Sequence, residues 1–457
     1  MNIIITITVT ALVVLYAGLF KAKKALLPLT LLGLFTALGF VVTSWDTNHV
    51  YYNMMQMDNF GLAFSGLCIS GSILVFLLTQ NYFAEHSENI AEYFTLMLFS
   101  LAGMIIMVSY KNMSMLFIGI EIMSVALYIL AGIRKTNFGS NEASLKYFLM
   151  GAFSTGFLLF GIALIYGATG SFDLDVINEY LISNYKTVSP LFYPGLILMM
   201  IGLSFKVGAV PFHFWVPDVY EGSPSLIMAF MSTVVKTAGF AAFLRLFSGT
   251  FAPLHDFWLP PLMVIVCLTL FIGNVTALFQ KSFKRMLAYS SISHAGYLLF
   301  SLVTISSRST NDVLFYASAY TFANIIAFAA MIMVKQRTGA DTFEAFNGLG
   351  NKNPFLAFTV TVAMLSLAGI PLTAGFIGKY VMFLNVMDRY QIYLVAFAIL
   401  NALVGFYYYF RVIAAMYFKE GSELQLVIPL QYKIVLVFSV VITVFLGVYP
   451  SFILNLI

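Results

Sequence analysis

Residues 354–387, PFLAFTVTVAMLSLAGIPLTAGFIGKYVMFLNVM, form an apolar run of 34 residues that contains a single charge, Lys379. As one straight helix this run would be about 51 Å long, against a hydrocarbon core of ~30 Å. It must tilt strongly or break, and its centre, LAGIPLTAGFIG at 367–378, supplies the breakers Gly369, Pro371 and Gly375. The apolar run 188–212 repeats the arrangement, with Lys206 followed by Gly208 and Pro211. Two Gly/Pro-interrupted hydrophobic segments in corresponding positions of two halves point to inverted repeats around a pathway at the bilayer midplane. Each of the two carries one lysine.

The rest of the chain agrees with a membrane reading. Of its 457 residues 61% are hydrophobic and only 9% charged, and the mean hydropathy is +0.93. A soluble domain carries about 25% charged residues because its surface must be wetted. This composition implies an all-α polytopic membrane protein forming one integral membrane domain over residues 1–457. A net charge of +4 on so long a chain does not suggest nucleic acid as a partner. Cys68 and Cys267 are far apart and belong to no C-x-x-C pair, which argues against iron–sulfur clusters and structural zinc.

Apolar stretches of membrane-spanning length give fourteen spans, at 3–20, 25–45, 60–84, 93–110, 112–133, 147–172, 188–212, 224–248, 257–280, 286–306, 313–334, 354–387, 391–418 and 434–456. The loops between them are short and leave no soluble domain. Of the 23 basic residues, fourteen fall in odd-numbered loops and four (Lys111, Lys186, Arg308, Arg389) in even-numbered ones. The bias places odd loops in the cytoplasm and both termini outside. The first span lacks a basic leader and is read as retained. Spans 4–8 and 9–13, at about 91–250 and 257–418, form the two expected five-helix repeats. Residues 121–128 (EIMSVALY) align with 290–297 (SSISHAGY) without a gap, and 243–247 (FLRLF) with 409–413 (YFRVI). In that alignment Ser290 stands opposite Glu121 and Ala402 opposite Lys236, so the halves are related but not equivalent.

Five basic residues remain inside spans: Lys206, Lys236, Arg245, Lys379 and Arg411. Arg245 and Arg411 are near span ends, where end-anchoring is expected. Lys236 lies thirteenth in the run 224–247, about 17 Å from either end at the helical rise. A lysine reaches only roughly 6 Å, so Lys236 must face a polar interior. Glu121 is the one acid well inside a span, and a mid-membrane carboxylate is a functional candidate by default. His294 and His213 are candidates for proton relay, since imidazole accepts on one nitrogen while donating from the other.

Three buried lysines and one carboxylate make a poor alkali-cation cage, because an ammonium repels what carbonyl and carboxylate oxygens attract. Burial favours the neutral amine, and an approaching Glu121 carboxylate favours the ammonium. A lysine so placed is a switchable proton acceptor. There is no dinucleotide fingerprint, Walker loop or H-E-x-x-H, and no cofactor is expected in this chain.

The stretch 211–224, PFHFWVPDVYEGSP, resembles the signature of the antiporter-like subunits of respiratory complex I. Residues 142–148 (EASLKYF) and 284–297 (KRMLAYSSISHAGY) resemble two further motifs of that family, and the resemblance covers essentially the whole chain. It implies a proton pathway through Glu121, Lys206, Lys236 and Lys379, with Lys146 at the head of the sixth span, His213 and His294 as secondary relay candidates. One complex I paralogue has glutamate where this chain has Lys379, and another carries a long lateral helix after its last span. The remaining resemblance is to the paralogue beside the small quinone-side subunits. The implied partners are that neighbourhood, an adjacent antiporter-like subunit and the lipid bilayer of a bacterial inner membrane. NAD, FMN, iron–sulfur clusters and quinone would belong to other subunits. Three alternatives stay open: a subunit of a multisubunit sodium/proton antiporter or membrane-bound hydrogenase, a self-sufficient sodium antiporter, and a membrane-arm subunit that conducts nothing.

Overall fold

The computed structural model describes residues 1–82, 90–306, 308–387, 392–421 and 426–457. Arg389 and the span limits expected at 84 and 391 lie outside the described residues. Within them the fourteen expected spans are present as helices, beginning with Asn2–Leu19, Lys23–Thr43, Asn59–Leu77, Ile90–Val108 and Met113–Ala131. The sixth is Phe138–Thr169 and the seventh Phe192–Val207, continued beyond a break by the short helix Trp215–Gly222. Ser225–Thr250, His255–Leu278, Phe283–Phe300 and Ser309–Thr338 follow. The last are Pro354–Ala368 with Ala374–Met387, then Ile392–Phe418 and Leu430–Val448.

Side-chain caps fix several helix starts, each satisfying an orphan amide of the first turn. Asp58 accepts from the Gly61 amide, Asn112 from Ser114, Asn137 from Ser140 and Ser282 from Arg285. The Asn137 cap corrects one expected boundary. The sixth span begins at Phe138, so Lys146 lies within the helix instead of in the loop before it. Two small elements have no counterpart in the sequence reading. Strands His49–Tyr51 and Met55–Met57 pair antiparallel, and the loop 173–187 contains the helix Leu174–Ser183, capped by Asp173.

Spans eight and eleven are buried over an 18-residue stretch of each and form the centre of the bundle. The outer spans turn Phe, Leu and Ile to the exterior, among them Phe153, Phe160, Leu32 and Leu403. Exposed apolar faces on helices of this length are what lipid requires. Helices approach closely where glycine removes the side chain: a Cβ on Gly103 would stand 2.8 Å from the Gly119 carbonyl oxygen, and one on Gly161 2.8 Å from that of Gly195.

Both expected breaks are real and use the same device. The seventh span ends on Gly208 with φ +73°, and the first half of the twelfth on Gly369 with φ +87°. A left-handed residue closes the helix and costs glycine nothing. The eighth span departs from α geometry at Met231–Val235 and Arg245–Thr250, which are π-helical. The terminal arginines are anchored by protein. Arg245 donates to both Asp58 carboxylate oxygens at 2.6 and 3.0 Å, and Arg411 to the carbonyls of Leu278 and Gln280 at 3.3 and 3.1 Å.

Candidate functional site

Lys206, in the last turn before the first break, is 7% exposed. Its Nζ donates to Ser124 Oγ on the fifth span at 2.9 Å and to Thr155 Oγ1 on the sixth at 3.4 Å. Glu121 is one turn before Ser124 on the same helix, so the two project from neighbouring positions of one face. No ion pair within 4 Å joins Glu121 to Lys206 among the described residues. The carboxylate Oε1 is buried without a hydrogen-bond partner among the described residues.

Lys236, 4% exposed, follows directly on the π-helical turn Met231–Val235. Such a turn inserts one residue and loosens the backbone ladder. Here the Val234 carbonyl accepts from Cys68 Sγ at 3.7 Å. The Lys236 ammonium crosses to the tenth span, donating to Ser291 Oγ at 2.6 Å and to the Ser291 carbonyl oxygen. It also lies 5.8 Å from the ring centre of Tyr320. Spans seven and eight meet beside it, where a Cβ on Gly239 would stand 3.1 Å from Val207.

One turn beyond Ser291, His294 is held at both nitrogens. Nδ1 pairs with Tyr316 Oη at 2.7 Å and Nε2 with Tyr409 Oη at 3.0 Å, and Tyr409 Oη also bonds Ser290 Oγ. The cluster draws on spans ten, eleven and thirteen. Lys379, 7% exposed, closes the row on its far side. Its Nζ donates to the carbonyls of Leu367 and Ala368, both at 3.0 Å, and sits 4.7 Å from the ring centre of Tyr297. Those carbonyls belong to the helix end that the second break creates. A helix C-terminus leaves carbonyls unpaired and carries partial negative charge, so the break itself makes a cation site. Tyr297 and Tyr316 link Lys379 to His294, with ring centres of the two tyrosines 6.4 Å apart.

Lys236, His294 and Lys379 thus share one buried cluster through Tyr320 and Tyr297, while Lys206 keeps its own hydroxyl partners on spans five and six with Glu121 beside them. Lys146 does not join them. Its Nζ pairs with Asp218 at 2.7 Å and Glu142 at 2.8 Å on a half-exposed face. Arg285 reaches Glu221 and, at 3.7 Å, Asp218 in the same network. The three motifs at 142–148, 211–224 and 284–297 thus meet in space at the odd-loop side. His213 lies in the break of the seventh span, buried, with Nδ1 unpartnered among the described residues. Sequence reasoning missed Ser124, Thr155, Ser291, Tyr297, Tyr316, Tyr320 and Tyr409. A usable signal was present in the polar stripe Ser290, Ser291, Ser293, His294, Tyr297 and in Tyr316/Tyr320, spaced three and four apart on otherwise apolar spans.

A family model described as NADH:quinone oxidoreductase/Mrp antiporter, TM, matches residues 110–405. The NADH-quinone oxidoreductase subunit N of Flavobacterium psychrophilum is 40% identical over 458 residues, covering 100% of both chains. Among solved structures, a chain of respiratory complex I from Thermus thermophilus with bound aureothin superposes with a TM-score of 0.85 at 32% identity. The match covers 100% of this chain and 99% of that one. A chain of the Mrp complex from Dietzia sp. DQ12-45-1b shares the fold, with a TM-score of 0.87 at 18% identity over 99% and 95% of the two chains.

Proposed function

The chain belongs to the NADH:quinone oxidoreductase/Mrp antiporter family of membrane subunits, with the N subunits of NADH-quinone oxidoreductase among its relatives, and from that premise we propose that it moves protons through its buried Glu/Lys/His axis. Quinone reduction elsewhere in the complex supplies the energy. NAD, FMN, iron–sulfur clusters and quinone reside in other subunits, and this chain holds no redox centre. Its neighbours are a further antiporter-like subunit and the small quinone-side subunits. It sits in a bacterial inner membrane with both termini on the periplasmic side, as its distribution of basic residues requires.

The observation that carries this reading is the state of the three lysines. Each is buried with no carboxylate within 4 Å among the described residues, and each is held by neutral hydroxyls or carbonyls of its own or a neighbouring span. Neutral partners tolerate both ammonium and amine, whereas a salt bridge would lock the charge. Glu121 modulates Lys206, Lys236 passes the proton through the centre, and His294 with its tyrosines carries it on towards Lys379. Lys379 stands nearest the periplasmic outlet or the neighbouring subunit. His213 is a secondary relay position, whereas Lys146, paired with Asp218 and Glu142, anchors the cytoplasmic rim.

Lys206→Ala in the assembled complex tests the scheme. The expected result is a lowered ratio of protons translocated to NADH oxidised in proteoliposomes. Unchanged pumping with unchanged quinone reduction rejects it. The family also covers Mrp antiporters, so a sodium/proton antiporter subunit is the second reading. Sodium-dependent transport that proceeds without NADH or quinone would favour that reading instead.

A further inference from the structure

The expected eleventh span began at Val313, but the helix starts at Ser309 and takes in Asp312, which is 2% exposed. An acid in the first turn of a helix is ordinarily a solvated charge that complements the helix dipole. This one is buried, and no basic group lies within 4 Å of it among the described residues. The nearest charge acting on it is Arg308, exposed and one turn away. Its observed side-chain partner is neutral: Asn385 Nδ2 of the twelfth span donates to Asp312 Oδ2. A buried carboxylate with a neutral partner can be held in either protonation state, which a carboxylate in a salt bridge cannot.

Position gives the group a task. Asp312 precedes Tyr316 by four residues and shares its face of the helix. The Tyr316 hydroxyl is bonded to His294, and its ring lies against Gly378, where an added Cβ would stand 2.5 Å from it. Asn385 is six residues beyond Lys379, about 9 Å further along the helix. The Asp312–Asn385 contact thus forms the next polar rung beyond Lys379, His294 and Tyr316. It lies at the end of the bundle where span eleven begins and span twelve ends, the side carrying the even-numbered loops.

We infer that Asp312 is the outlet group of this chain, the carboxylate that takes the proton from the Lys379–His294–Tyr316 cluster and releases it on the even-loop side. This rests on the proton axis proposed above. In the transfer, the Lys379 ammonium gives up one N–H proton and becomes the amine. The Tyr316 hydroxyl receives a proton from His294 as it passes its own through intervening water to Asp312, which becomes the neutral acid. Dissociation of that acid to the aqueous phase restores the carboxylate. Asn385 is a positioning residue, keeping its amide donor on Oδ2.

The test compares Asp312→Asn, Asp312→Glu and Lys379→Ala in the assembled complex, reading protons translocated per NADH oxidised in proteoliposomes. The inference expects D312N to lower the ratio as far as K379A does, and D312E to restore at least half of the loss. A wild-type ratio in D312N beside a lowered ratio in K379A overturns the outlet assignment and leaves the axis standing. Wild-type ratios in both variants overturn the axis and the outlet together. A second measurement needs no variant. Dicyclohexylcarbodiimide adds to protonated carboxyls in apolar surroundings, so the wild-type complex at neutral pH should yield labelled Asp312 by peptide mass spectrometry. An Asp312 that stays unlabelled while Glu121 reacts contradicts the role, because a permanently ionised helix-start charge cannot carry a proton.

Discussion

Lys236→Met is expected to leave the complex assembled and to reduce its proton translocation about a hundredfold, the low end of what loss of a positioned proton-transfer group costs. The substitution keeps much of the length and volume of the side chain and removes only the ammonium. Its immediate partners, Ser291 Oγ and the Ser291 carbonyl, lose a donor, and the stem of the side chain keeps its place. Replacing a buried charge with an apolar group of similar size is often neutral or stabilising. Thermal stability of the complex should therefore hold or rise while pumping falls. That opposite movement distinguishes the proton-carrying role from a structural one. A subunit that conducts nothing would tolerate methionine with both quantities intact, and such a result in proteoliposomes would refute the role given to Lys236.

The second large effect is expected at the break in the twelfth span. A Cβ on Gly375 would stand 1.8 Å from the Ser366 carbonyl oxygen and 2.7 Å from its carbon, both backbone atoms. No side-chain rotation relieves that contact, so Gly375→Ala must push the two halves of the span apart. Overpacking of this kind costs about 1–3 kcal/mol and sometimes more. The displaced backbone is adjacent to Leu367 and Ala368, whose carbonyls hold Lys379, so the cation site is disturbed with it. The expected outcome is a lower yield of the subunit in the purified complex and a lower unfolding temperature. Gly156→Ala, where nothing lies within 4 Å of the added carbon, serves as the unaffected control. Equal yield and equal unfolding temperature for the two variants would show that the break is not packed as described.

How much of this could be read from the chain depends on the distance over which each feature is specified. The number of spans, the breaks at Gly208 and Gly369 and the burial of Lys236 follow from apolar run length, helical rise and lysine reach, all local quantities. The start of the sixth span did not, because the Asn137 cap extends a helix through polar residues that hydropathy counts as loop. Asp312 was lost because the eleventh helix likewise starts in polar residues that hydropathy counts as loop, there without a side-chain cap. The π-helical turn before Lys236 has no Gly or Pro to announce it, and its free carbonyl is satisfied from a distant helix by Cys68. The tyrosine cluster around His294 was out of reach for a further reason. Its members come from spans ten, eleven and thirteen, and which tyrosine faces inward is decided by packing between spans.

Lys206 and Lys379 also show where a resemblance between halves stops. Both stand at a broken span, yet Lys206 is held by hydroxyls of neighbouring helices and Lys379 by carbonyls of its own break. A hydroxyl both donates and accepts, whereas a carbonyl only accepts. The two lysines are suited to different steps despite their matching contexts in sequence.

The most direct measurement is the position of ordered water in a density map of the assembled complex, at a resolution where single waters are visible. The account expects waters within hydrogen-bonding distance of the Nζ atoms of Lys206, Lys236 and Lys379, joined through Ser291, His294 and Tyr316 into a chain with gaps no longer than one water. Dry packing around Lys236 and Lys379, or acyl chains in contact with either ammonium, would contradict it.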